Sequence, residues 1–216
     1  SWRHVLTIQG ASPRELILEA CRRNNTDLLE ETIADLASAA SKQGKEPAEY
    51  VAKVLNEAKD GVGNGCLHVA ATYGSCTSLP DWTLTLSSHS HSHPRWASTN
   101  TLPKDEILDI LLDQEGIEIE LTDRIEGDLP LHKAVRYVNS LSQAEWPAGA
   151  QVVDILLDAG CDPRIRNKAK LKPAELVDPR NKELRELLRK GEVAMMMGGD
   201  VVEDDEGPTG SASDSD

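Results

Sequence analysis

The sequence predicts an all-α fold, a solenoid of about four stacked helix-turn-helix repeats, and three observations carry that reading. Gly127-Asp128-Leu129-Pro130-Leu131-His132-Lys133-Ala134 places a proline at a helix's first position, where the missing N–H has no partner to lose, and Leu67-His68-Val69-Ala70-Ala71-Thr72-Tyr73-Gly74 repeats its second half. Val152-Val153-Asp154-Ile155-Leu156-Leu157-Asp158-Ala159-Gly160 lays apolar residues on one helical face and ends on glycine, and Ile107 to Gly116 does the same. The chain has 216 residues, 39% hydrophobic and 28% charged, which suits one domain with some polar sequence rather than two full domains.

On these residues the chain resembles the ankyrin repeat, whose period is about 33 residues and whose signature runs G-x-T-P-L-H-x-A, then V-x-x-L-L, then G-A-D. Leu67, His68, Ala70, Gly74, Leu111, Leu112, Gly127, Pro130, Leu131, His132, Ala134, Leu156, Leu157, Gly160 and Pro173 stand at signature positions. The 64 positions from Leu67 to Leu131 leave about 31 beyond one period, at Ser75 to Lys104. The 45 from Leu111 to Leu156 leave about 12, at Asn139 to Ala150. The resemblance implies projecting hairpin loops that form, with the inner helices, a concave surface on which partners bind. It also implies that His68 and His132 hydrogen-bond between neighbouring loops. Three signature threonines that would cap inner helices are Gly65, Leu129 and Lys172, and Cys66 replaces a proline. Leu129 is the most damaging of these departures unless Asp128 substitutes as the cap.

Taken in order, residues 1–11 form an N-terminal extension and 12–191 the repeat domain. Ser12-Pro13-Arg14-Glu15 is a capping-box start, and Leu16, Ile17, Ala20 and Cys21 share one face of the helix it opens. Asn24 to Asp27 turns into a second helix. A helix-prone run then extends to Ala58, longer than the family needs and broken by Gly44 and Pro47. Asp60 to Gly65 is a glycine-rich turn with no preceding apolar strand and no Lys-Ser/Thr at its end, so it does not read as a phosphate loop. Residues 75–104 hold 12 Ser or Thr and three prolines, together with Trp82, Trp96 and the run His89-Ser90-His91-Ser92-His93. Such a tract reads as a disordered insertion, and its alternating histidines as at most an adventitious metal binder, so no functional metal site is assigned. Because Tyr73-Gly74-Ser75 would join smoothly onto Asp105-Glu106, the tract also reads as a translated intron. Peptides from Thr77 to Lys104 in the native protein would dispose of that idea.

Lys172-Pro173-Ala174-Glu175-Leu176 opens a degraded last repeat, whose final helix is expected to end at Gly191. Charged outer positions from Arg180 to Lys190 suit a capping unit facing water. Residues 192–216 carry eight acidic side chains and no Lys or Arg, and read as an acidic disordered tail.

The net charge of -14 excludes binding to nucleic acid or an anionic membrane through the bulk surface and favours a basic protein partner. No apolar run is long enough to span a membrane, and a cytoplasmic or nuclear monomer is expected. Cys21, Cys66, Cys76 and Cys161 lack paired spacing and read as reduced, buried thiols. Cys66 and His68 point about 200° apart on a helix, so they form no nucleophile pair. No catalytic motif or cofactor site is present, and the chain is expected not to be an enzyme. Candidate partner contacts are Glu118, Glu120, Asp123, Arg124 and Glu126 on one loop and Arg164 and Arg166 on the next. Trp146, in the second insertion beside Pro147, joins them either as a binding anchor or as a lid on its own domain. The expected function is that of an adaptor or regulatory scaffold. The alternative is a dedicated escort of a basic client, because the chain resembles small acidic ankyrin proteins that chaperone individual ribosomal proteins.

Overall fold

The computed structural model describes residues 10–73 and 106–197. Gly74, the tract at 75–104 with its histidines and tryptophans, Cys76, residues 1–9 of the N-terminal extension and 198–216 of the acidic segment lie outside the described residues. Nine helices are present among those described: α1 Pro13–Arg23, α2 Thr26–Lys42, α3 Pro47–Glu57, α4 Cys66–Tyr73, α5 Glu106–Leu112, α6 Pro130–Ser140, α7 Trp146–Asp158, α8 Pro173–Leu176 and α9 Lys182–Met197. No strand accompanies them; one isolated antiparallel bridge joins Lys59 and Gly65.

Most of the helix starts follow from their local chemistry. The hydroxyl of Ser12 caps α1 and the carboxylate of Glu15 returns to the Ser12 N–H at 2.7 Å. Asn25 caps α2 through the Leu28 N–H, and Asn181 caps α9 through the Leu184 N–H at 3.0 Å. Proline occupies the first turn of α1, α3, α6, α7 and α8.

The packing resolves these helices into four pairs. Inner helices α1, α4, α6 and α8 follow one another in a row, and α2, α5, α7 and α9 back them as an outer row. The apolar faces meet in one continuous core, with Ile17, Leu29, Leu55, Ile107, Leu111, Leu131, Leu156, Leu184 and Leu188 essentially inaccessible. A unit with one apolar face cannot bury it alone, and stacking does so at every junction.

α3 is additional to the four pairs. It stands where the outgoing arm of the first projecting loop would run, packs on α2 and α1, pairs Glu57 with Arg14 of α1, and is tied further along the stack by three hydrogen bonds. Asn56 Nδ2 donates to the Gly116 carbonyl at 3.0 Å, and its Oδ1 accepts from the Glu118 N–H at 2.9 Å. The Cys66 thiol donates to the Leu55 carbonyl at 3.5 Å, which is the use the chain makes of a cysteine in place of proline.

Two boundary expectations need correction. The insertion assigned to 139–150 is largely helical: α6 runs to Ser140 and α7 begins at Trp146, so only 141–145 connect them. The final helix does not stop at Gly191 but continues to Met197, so Glu192 to Met197 belong to the stack. Gly191 is a contact rather than a terminator, since a Cβ there would lie 2.9 Å from a Leu157 methyl.

Candidate functional site

Three short fingers project from the inner row, at 60–65, 123–129 and 167–172, and the same device builds each. An Asx side chain at the base accepts backbone N–H groups of its own turn: Asp60 from Val62 and Asn64, Asp123 from Glu126 and Gly127, Asn167 from Leu171. A left-handed residue closes each turn, Gly63 at φ 91°, Gly127 at φ 64° and Lys170 at φ 64°. At the first two the next finger presses in, because a Cβ on Gly63 would lie 2.4 Å from the Arg124 Cβ and one on Gly127 would lie 2.9 Å from the Lys168 Cγ.

Histidines fasten the fingers together. His68 Nδ1 accepts the Gly65 N–H at 3.2 Å, so its Nε2 carries the proton and donates to the Asp128 carbonyl of the next finger at 2.8 Å. His132 repeats this, accepting the Leu129 N–H at 3.2 Å and donating to the Leu171 carbonyl at 3.0 Å. Burial holds both imidazoles below their ordinary pKa, partly offset by the carbonyls they donate to. The N–H of the uncapped Leu129 is therefore satisfied from within α6. Asp128 does not substitute as its cap; its carboxylate takes Arg136 Nε at 2.8 Å and Asn167 Nδ2 at 2.8 Å.

Asp123, expected to be an exposed partner contact, is a structural residue. It is 3% exposed, and its second oxygen lies 2.6 Å from Lys133 Nζ. The same ammonium is 3.2 Å from Glu126 and 3.6 Å from Asp128. Burial would raise the Asp123 and Asp128 pKa values, but Lys133, Arg136, Asn167 and the turn N–H groups hold both below the ordinary value. Asp123, Glu126 and Asp128 are close enough to share a cation, and Lys133 is the cation they share.

The other expected contacts separate into two kinds. Arg124 and Glu118, Glu120 and Glu126 are exposed, with Glu126 shared between Lys133 and Arg136. Arg164 forms an ion pair with Asp162 at 2.8 Å, and Arg166 pairs with Glu175 at 3.1 Å while also reaching the Lys170 carbonyl. Trp146 is not on a loop: it is half-buried in the first turn of α7 and folded onto the core of its own domain, with the Arg180 guanidinium 6.0 Å from its ring.

Sequence reading missed the apolar fingertips. Ile125 is 65% exposed and Val62 44% exposed, each two residues after the Asp at the base of its finger, and Tyr73 is 48% exposed at the end of α4. An apolar residue at the tip of a turn of charged or glycine neighbours was the signal available. Glu118 falls elsewhere, in a cleft of roughly 720 Å³ between α3 and the loop after α5, lined also by Glu46, Glu49, Glu57 and Glu115.

Burial raises the Cys66 and Cys161 thiols to about 12 and the Cys21 thiol well above its ordinary value, so none is a nucleophile. No helix among the described residues is long and apolar enough to cross a membrane.

No family model matches the chain. It is similar to a curated yeast protein, ankyrin repeat-containing protein YGL242C of Saccharomyces cerevisiae, at 35% identity over 192 residues, which cover 88% of this chain and 83% of the relative.

Proposed function

Because the chain belongs to the ankyrin repeat family, whose members are generally non-catalytic protein-interaction modules, we propose that it is an adaptor or regulatory scaffold binding a protein partner across its fingertips and inner helices. The observation that carries this reading is the exposed pair Val62 and Ile125 on fingers pinned by stacked turns and histidines. A large apolar side chain held on a rigid support loses little conformational freedom on binding, which is what an interface anchor requires. Arg124 beside Ile125 supplies charge at the rim. The test is quantitative co-purification with tagged full-length chain from its native cell, comparing Ile125→Asp with the parent. A partner that binds through the fingertips is depleted at least tenfold while far-ultraviolet circular dichroism is unchanged; undiminished recovery would sink the reading.

A second reading, a dedicated escort of a basic client such as a ribosomal protein in the cytoplasm or nucleus, is supported by the acidic cleft beside α3 and by the net charge of -14. Electrostatic capture raises association rate and weakens with salt. An escort loses its client steeply as salt rises and on removal of 203–216, whereas a fingertip scaffold keeps its partner through both.

A further inference from the structure

The overall charge conceals a reversal of sign at the end of the stack. Residues 106–160 carry a net -9 and 191–216 a net -8, but 161–190 hold ten Lys or Arg against five Asp or Glu, a net +5. Five of those cations alternate through the third finger and the segment leading into it, Arg164 and Arg166 before the finger and Lys168, Lys170 and Lys172 within it. Their carboxylate pairs, Arg164 with Asp162, Arg166 with Glu175 and Lys172 with Glu192, all lie at least partly in solvent, where such pairs are worth little and exchange readily. Lys170 has no carboxylate partner among the described residues, and Lys168 turns its ammonium to the Arg124 and Ile125 carbonyls.

The acidic segment starts beside this finger. Glu192, its first member, lies 3.1 Å from Lys172, and α9 continues only to Met197, about 7.5 Å further at 1.5 Å per residue. Asp200, Glu203, Asp204, Asp205 and Glu206 follow within nine residues, enough chain to extend about 30 Å. A short tether of this kind presents its charges at an effective concentration in the millimolar range. We propose that residues 200–206 dock on the basic third finger, over Arg164, Arg166, Lys170 and Lys172, as a built-in acidic ligand of that face. The contact extends the Lys172–Glu192 pair outward, and it makes the third finger a site for acidic segments, which an outside acidic chain reaches only by displacing the protein's own.

The experiment compares backbone amide NMR spectra of the full chain, a chain lacking 200–216, and a chain carrying Glu203→Gln, Asp204→Asn, Asp205→Asn and Glu206→Gln. At low salt the amides of 164–172 differ between the full and shortened chains, the neutralised chain matches the shortened one, and high salt removes the difference. A synthetic peptide of residues 200–216 added to the shortened chain moves the same amides. Superimposable spectra at low salt, or differences confined to the end of α9, would overturn the proposal. Because no partner is in the tube, the result stands or falls independently of the fingertip reading.

Discussion

His132 works only as a neutral ring, with one nitrogen accepting inside its own repeat and the other donating to the next. Replacing it by alanine leaves the Leu129 N–H and the Leu171 carbonyl without partners at a buried junction. The expected loss is about 2–4 kcal/mol, read as a lowered urea midpoint at unchanged slope. The same geometry sets a pH dependence. Both histidines have folded pKa values below the ordinary 6.5, so the unfolded chain binds protons first as pH falls. Their stabilisation is complete above about 6.5 and is lost progressively below it. Urea midpoints measured downward from pH 7.5 should decline beginning near 6.5, and a His68→Gln, His132→Gln chain should have a flatter profile there. Lys133→Met is expected to be the more severe change. It strands Asp123 and Asp128 as buried carboxylates with one cation fewer, at about 3–5 kcal/mol in the same assay.

At the scale of the element, α3 departs furthest from a regular repeat, and beyond its packing on α2 and α1 a single side chain, Asn56, joins it to the loop after α5. Asn56→Ala removes both bonds to the loop after α5, and about 1–2 kcal/mol of stability is expected to go with them, measurable as a lower thermal midpoint. The helix itself was legible in advance, because Gly44 and Pro47 divide a run that apolar periodicity otherwise continues. Its use was not: nothing in local pattern says that a helix will stand in place of a loop arm, since that depends on Asn56 meeting a backbone segment 60 residues away. Similar reasoning accounts for the end of α9. A glycine in a helical run reads as a stop, and only the approach of Leu157 shows why this one continues. The burial of Asp123 was hidden for the same reason, because a carboxylate in a turn looks solvated until Lys133 from the following helix is seen above it. Repeat architecture, by contrast, was readable from the recurrence of Leu-His and Leu-Leu, because each unit repeats the same packing problem.

For the molecule as a whole, the junctions are unequal in strength. α4 and α6 are buried between neighbours on both sides and are joined by the His68 clasp, with His132 fastening α6 to the next finger, whereas α8 is a single turn and α9 has no unit packed beyond it among the described residues. Nearest-neighbour stacking then predicts graded stability, not one uniform value. Native-state hydrogen exchange should be slowest in α4 and α6 and fastest in α8 and the last turn of α9. Uniform protection along the chain would show that the stack opens only as a single unit.

The four inner helices carry Glu15, His68, His132 and Glu175 at one equivalent position, each accepting the N–H three residues before it. A carboxylate can only receive, whereas an imidazole receives and passes a hydrogen bond onward. The array thus has a grammar in which histidine links the two later junctions, while glutamate stands at both ends and α1 meets α4 without such a bond. A unit copied after the last one would meet Glu175 as α4 meets α1, by packing without the clasp, and a histidine at 175 would be needed to give the new junction the bond that His68 and His132 supply.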